Sequence, residues 1–205
     1  HTWEDGRVLD ANVWVMPDYL AIGSDDDFLY MPLTLPSATA LASEWGLVLP
    51  TCKMVDAIYA QATFHFTPVP MTPGPRMRSS IYYLEHQGLI DSQRAGVPDT
   101  ALVAGHKKDI VLSNRLGEED GRIAIYGWHW SEDDPIQPLC IWHGARYADY
   151  SHGARMVWDR VWIGGRLRPI LDVLADPAMA PVLTYEGSIP DGMELLHLDG
   201  EGWAD

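Results

Sequence analysis

The chain has 205 residues, 47% of them hydrophobic, and a formal net charge of −15 at pH 7. This length suits one domain with a sizeable core, so we predict a single domain over residues 1–205. The acidity argues against nucleic acid and anionic membrane surfaces as partners, since both are bound through Lys and Arg. No apolar run reaches the roughly 18 residues of a membrane helix, so we expect no membrane insertion.

The first half of the sequence predicts short strands followed by helices. Strand-like runs at 13–16 and 28–31 come first. A helix is predicted at 36–45, and a second helix begins after an N-cap at Thr51. A proline-rich connection leads to a third helix at 77–93. We expect this last helix to bury Ile81, Leu84 and Leu89.

The second half of the sequence is typical of a sheet. Strands are predicted at 101–104, 110–112, 122–128 and 154–158, and a hairpin joins 161–163 to 166–170 through two glycines. A short helix is predicted at 171–174. Helices first and strands later predict an α+β fold, in which a mainly antiparallel sheet from the second half packs against helices from the first half.

Two cysteines, Cys52 and Cys140, permit one disulfide or two free buried thiols. Cys52 lies in the first turn of the second predicted helix, where the helix dipole lowers a thiol pKa, and Lys53 adds positive charge. A cysteine nucleophile also needs a base, for which His106 is a candidate. The alternative for Cys52 is a buried structural residue.

Chemically useful side chains are concentrated at residues 126–155. If 149–152 is a strand, Asp149 and Ser151 share one face, and Tyr150 and His152 share the other. The segment also holds ligand types for a transition metal, although without a recognised spacing. These ligand candidates are His129, His143, His152 and Asp149.

A second polar segment, His106-Lys107-Lys108-Asp109, adjoins a predicted strand. Strand alternation places His106 and Lys108 on one side, where the pair would polarise a carbonyl or bind an anionic group. The alternative is a solvent-facing hairpin end.

Tryptophan side chains provide stacking surfaces for sugar rings. Trp128 and Trp130 would share a strand face, and Trp142 follows closely in the chain. With Asp149 and Gln137 they define a candidate saccharide platform. Core packing is the other explanation for these tryptophans.

The motifs PTCKMVD, GHKKDIV, YGWH, PIQPL and DYSHG together resemble an uncharacterised family of exported bacterial proteins, over roughly residues 15 to 165. The resemblance implies export but no activity. Lys53 and Asp56 match the family motif, whereas Cys52 does not. A weaker similarity, in the order of a helix-start cysteine and a later strand histidine, connects the chain to NlpC/P60-type cell-wall peptidases.

The sequence therefore predicts a secreted or periplasmic hydrolase that acts on a cell-wall or extracellular polymer, at an amide or glycan linkage, without a cofactor. Composition alone fits an acidic cytosolic protein equally well. The alternatives are a non-catalytic saccharide-binding module and a His-ligated metalloenzyme. The predicted catalytic residues are His106, Lys108, His129, Tyr150, His152 and Cys52. The predicted substrate-binding residues are Lys53, Asp149, Gln137, Trp128, Trp130 and Trp142.

Overall fold

The computed structural model describes residues 1–197, and three of the helices in this range begin at capping hydroxyl groups. The side chains of Thr34, Thr51 and Ser79 each accept a hydrogen bond from a backbone N–H three residues later, which satisfies one of the free donors at a helix start. The helices are Leu35–Glu44 (α1), Cys52–Gln61 (α2), Ser80–Arg94 (α3), Ile170–Ala175 (α4) and Gly192–Leu195 (α5).

Twelve strands of the described chain form four sheets. The strands are Ala11–Val15 (β1), Ala21–Gly23 (β2), Phe28–Tyr30 (β3), Leu47–Val48 (β4), Phe64–His65 (β5), Val103–Ala104 (β6), Lys108–Ile110 (β7), Ile125–Ser131 (β8), Asp134–Cys140 (β9), His152–Gly153 (β10), Val157–Ile163 (β11) and Arg166–Pro169 (β12). One four-stranded sheet has the order β1-β11-β12, with β4 also paired to β11. The other has the order β10-β7-β8-β9, and the pairs β2-β3 and β5-β6 stand apart.

The α+β prediction is confirmed, and the sheets draw on both halves of the chain. β1 and β4 come from the first half and pair antiparallel with β11. Two pairings, β10 with β7 and β5 with β6, are parallel. The single-domain boundary of 1–205 stays a prediction, because residues 198–205 lie outside the described part of the chain.

The buried face of α3 differs from the predicted one. Ile81, Leu84 and Leu89 are exposed, so their prediction as core residues is wrong. The helix instead buries a row that includes Gln87, whose Oε1 accepts a hydrogen bond of 2.9 Å from the backbone N–H of Tyr30. This bond to β3 orients the helix, because an unpaired buried amide is costly.

The segment PIQPL, which had no predicted structure, is part of strand β9. Pro135 and Pro138 lie within it. Proline lacks the N–H that a central strand donates to its neighbours, but β9 is at the edge of its sheet. An edge position therefore explains how two prolines fit in a strand.

One large apolar cluster joins α1, α2 and α4 to the inner faces of both four-stranded sheets. Its buried members include Leu35, Val55, Ile110, Ile125 and Val161. Separately, in residues 1–197 no helix has both the length and the apolar composition needed to cross a bilayer.

The parallel pair β10–β7 depends on a glycine. A Cβ added at Gly153 would lie 2.5 Å from Cδ1 of Tyr19 and 2.8 Å from Cβ of Lys107, both closer than packed atoms allow. Gly153 pairs with Asp109, and His152 pairs with Lys108. The missing side chain therefore lets β10 approach Tyr19 and β7.

We predict that Gly153→Ala lowers the free energy of unfolding by about 1–3 kcal/mol, because the added methyl group overpacks this contact. Gly88→Ala is the matched control. That position lies in α3, where a Cβ meets no described atom within 4 Å, and the change should stabilise by up to about 1 kcal/mol. Urea unfolding monitored by circular dichroism measures both. Equal effects at the two positions would contradict the packing argument.

Candidate functional site

The strand register places four residues in one row across the second sheet. His152 of β10 pairs with Lys108 of β7, Lys108 pairs with Gly127 of β8, and Gly127 pairs with Gln137 of β9. Residues in register point to the same face of a sheet. His152 and Lys108 are therefore neighbours, whereas a Cβ added at Gly127 would lie 3.3 Å from Val55 of α2 and 3.5 Å from Asp109, on the side away from the lysine. The Lys108 ammonium lies 5.2 Å from the centre of the Trp128 ring.

Asp149 is a buried carboxylate that three hydrogen bonds hold in place. Its Oδ1 accepts bonds from the backbone N–H and the hydroxyl of Ser151, at 2.8 and 2.6 Å, and its Oδ2 accepts one of 2.9 Å from the Tyr147 hydroxyl. Burial raises the pKa of Asp149, but the nearby His152 and the bonds from Ser151 outweigh burial, so the pKa lies below its ordinary value. Asp149 is therefore ionised at neutral pH.

His152 is a buried histidine that stays neutral at neutral pH. Burial, with smaller contributions from the charges of Lys108 and His143, lowers its pKa to about 4, although Asp149 opposes the shift. Neither ring nitrogen has a hydrogen-bond partner within residues 1–197. A neutral imidazole with a free lone pair is a proton acceptor.

His143 and Tyr147 form the open side of the same group. Their rings stack with centres 4.0 Å apart and planes 12° apart, and the Tyr147 ring lies 5.7 Å from that of His152. Lys108, His143 and Tyr147 are each partly exposed, whereas Asp149 and His152 lie beneath them. We call these five residues the Lys108–His152 cluster.

His106 lies away from this cluster, so the predicted pairing of His106 with Lys108 is wrong. β7 begins at Lys108, and strand alternation does not extend back to His106. The His106 ring is fully buried, with its centre about 5 Å from those of Tyr19, Tyr30 and Phe66, and its Nε2 is 3.2 Å from Oδ1 of Asp18. Burial lowers its pKa despite Asp18.

Tyr150 does not share a face with His152, because 149–152 is a turn rather than a strand. The backbone N–H of His152 donates to the carbonyl of Asp149. The Tyr150 hydroxyl accepts a bond of 2.7 Å from the N–H of Met71, and its ring packs against Trp128. Tyr150 therefore fixes the proline-rich connection. The tyrosine beside His152 is Tyr147, not Tyr150 as predicted.

His129 faces α2, on the opposite side of the sheet from Lys108. Its Nε2 is 3.1 Å from Oδ1 of Asp56, which also accepts a bond of 2.9 Å from the Tyr126 hydroxyl. The His129 ring stacks on Tyr59 of α2 at 4.7 Å. His129 is therefore apart from the other three predicted metal ligands, His143, Asp149 and His152, which belong to the Lys108–His152 cluster. Within residues 1–197, no three His, Cys, Asp or Glu side chains are grouped to hold a metal ion.

Cys52 is buried at the start of α2, and both cysteines are free. Burial raises the pKa of the Cys52 thiol, and the carboxylates of Glu186 and Asp56 raise it further. These effects outweigh the helix dipole, so the structure disfavours a thiolate nucleophile at this position.

A second buried polar group lies between α2 and the sheet. The Tyr19 hydroxyl donates a bond of 2.7 Å to Asp109, whose pKa burial raises to about 6. Arg155 lies over the Tyr19 ring at 4.3 Å. The cavity beside these residues has a volume of about 10 Å³, which accommodates one water molecule but no substrate. This group is therefore structural.

The predicted substrate-binding residues are dispersed. Trp128 is buried and has a left-handed backbone (φ 58°), while Trp130 and Trp142 are exposed, so no common platform of Trp128 and Trp130 exists. The Gln137 amide donates to Sγ of Cys140 at 3.2 Å, in the same row as Lys108. Lys53 donates to the carbonyl of Pro181 and lines a separate pocket of about 340 Å³ that includes neither Lys108 nor His152.

No family model matches the chain, and no similar curated protein or solved structure was found. The resemblance to exported bacterial proteins therefore stays a prediction, and the candidate site is supported by its geometry alone.

Sequence reasoning missed Tyr147, and it considered His143 as a metal ligand or as a partner of His152. Both lie in the segment 126–155 that was singled out for its composition, so a signal was present. Their stacking on one another and their position over His152 depend on the turn at 149–152, which strand alternation did not predict.

Next to the cluster, Lys107 is a buried amine without a contacting carboxylate among the described residues. It donates a bond of 2.6 Å to the carbonyl of Tyr150, and its Nζ lies 3.1 Å from Nδ1 of His86. Burial lowers the pKa of Lys107 to about 7 from 10.5. The folded protein therefore releases this proton at a much lower pH than the unfolded chain does.

We predict that the free energy of unfolding rises with pH between about 7 and 9, because the unfolded chain binds more protons in this window. Lys107→Met should remove this rise, which amounts to a few kcal/mol. Urea unfolding at several pH values measures the slope. An unchanged slope in the variant would show that Lys107 is not the group responsible.

Proposed function

We propose that the protein is an extracytoplasmic hydrolase that cleaves an amide bond of a cell-wall or extracellular polymer by general acid–base catalysis at the Lys108–His152 cluster. The observation that carries this proposal is the register of β10 and β7, which brings a neutral imidazole beside an ammonium group, while the preceding turn brings the buried carboxylate of Asp149 near the imidazole. Groups with perturbed pKa values that meet at a partly open surface are typical of catalytic sites.

His152 acts as the general base. Its free ring nitrogen takes a proton from a water molecule as the water oxygen bonds to the substrate carbonyl carbon. His152 is buried beneath His143 and Tyr147, so the substrate does not contact the imidazole directly. The attacking water molecule lies between the imidazole and the substrate carbonyl. Asp149 stabilises the imidazolium that forms, and the imidazolium then returns the proton to the departing amine.

Lys108 stabilises the negative charge that develops on the carbonyl oxygen. Its ammonium group is partly buried, and such a charge is more effective there than in bulk water. Burial lowers the pKa of Lys108, and Asp149 opposes this shift. The carboxylate therefore helps to keep the lysine charged.

The choice of an amide bond follows from the carboxyl groups of the cluster. Glycosidases ordinarily use two carboxyl groups that flank the bond. The Lys108–His152 cluster contributes one, Asp149, which hydrogen bonds hold in its ionised form. A cluster of one carboxylate, one imidazole and one ammonium group suits acyl transfer better than glycoside hydrolysis.

We predict that His152→Gln and Lys108→Met each lower the release of amino groups from purified peptidoglycan by about 10²-fold or more. Lys108→Arg, which keeps the charge, should retain more activity than Lys108→Met. The kcat/KM of the wild type should rise with pH around 4, where His152 loses its proton.

Cys52→Ala separates this mechanism from a thiol mechanism. We expect this variant to keep most of the wild-type rate, because the Cys52 thiol is buried and protonated. Loss of activity in Cys52→Ala, with His152→Gln still active and folded, would reject the proposed site. Release of reducing ends in place of amino groups would reject the amide bond.

A further inference from the structure

Three tryptophans project from the solvent face of the sheet that contains β1 and β11. Along β11 the residues alternate, so that Val157, Val161 and Ile163 are buried while Trp158 and Trp162 point outward. Trp14 projects from the adjacent β1. Their exposed fractions are 51% for Trp14, 38% for Trp158 and 46% for Trp162. We call these three residues the tryptophan face.

Packing does not account for this arrangement. The outer face of an antiparallel sheet is usually polar, and large exposed apolar side chains are usually scattered. Here three indoles share one face, and Leu167, which pairs with Trp162, is also exposed. A contiguous exposed apolar patch of this kind marks an interaction site.

The geometry of the tryptophan face suits an extended ligand. Trp158 and Trp162 are four residues apart on one strand, which separates them by about 13 Å. The rings of Trp14 and Trp158 are 5.4 Å apart and meet at 80°, so one presents its face where the other presents its edge. A single sugar ring covers only one indole. A ligand that contacts both Trp158 and Trp162 must therefore be a chain of several sugar rings.

The charge of the protein indicates which class of extended ligand binds this face. The protein carries a net charge of −15, which repels a second copy, nucleic acid and acidic polymers. Among the described residues, polar groups on this face include Asn12, which pairs with Trp162, and Arg160, whose Nε lies 3.4 Å from Oδ1 of Asp159. A neutral ligand with many hydroxyl groups satisfies both polar side chains without a charge penalty.

We propose that the tryptophan face binds a neutral polysaccharide chain of β-linked pyranose rings. Such rings carry equatorial hydroxyl groups, so their C–H bonds form apolar faces that stack on indole, while their hydroxyl groups reach Asn12 and Arg160. The face belongs to a different sheet from the Lys108–His152 cluster. The proposal therefore does not depend on the hydrolase activity.

Affinity electrophoresis and calorimetry with cellohexaose and chitohexaose test the proposal. We expect the wild type to bind at least one of these oligosaccharides. Trp162→Ala should weaken binding by about tenfold, and Trp158→Ala with Trp162→Ala by more, since each removes a stacking surface. Leu84→Ala, which removes an exposed apolar side chain from α3, is the control and should keep the wild-type affinity.

Three results would overturn the proposal. The first is the absence of binding to both oligosaccharides. The second is binding that Trp162→Ala leaves unchanged, or that Trp130→Ala removes instead. The third is a wild-type dimer, detected by sedimentation, that Trp162→Ala dissociates, because the occupant of the face would then be a second copy of the chain. Trp162 makes no ring contact among the described residues, so its replacement should leave the fold intact.

Discussion

The parallel pairing of two short strands, β10 and β7, is the constraint on which the candidate site depends. It spans only His152 and Gly153 on one side and Lys108 and Asp109 on the other. Gly153 permits it, because any larger residue would collide with Tyr19. The pairing fixes which histidine meets which lysine. It thereby places Lys108 where its charge lowers the pKa of His152.

The same sheet separates two polar groups of different character. On the α2 side, Asp109 and His129 are enclosed beside a cavity the size of one water molecule. On the other side, Lys108 and His143 remain partly exposed above His152. Burial alone therefore does not identify a catalytic group. Access for a substrate distinguishes the second group from the first.

The sequence predicted local structure better than it predicted contacts. The α+β class and the helix that follows Thr51 could both be read from caps, periodicity and element order. Alternation failed at His106 and Tyr150, because both lie outside the strands to which it was applied. The sequence pattern could not decide whether Cys52 is buried, because its burial results from packing between segments that are distant in the chain.

The central claim is that Lys108, Asp149 and His152 form one electrostatically coupled site. Titration of the His152 ring by NMR tests it most directly, in the wild type and in two variants. The account predicts a pKa near 4 in the wild type, a higher value in Lys108→Met and a lower value in Asp149→Asn, because each variant removes one charge that acts on the imidazole. A wild-type pKa near the ordinary 6.5, unchanged in both variants, would contradict it.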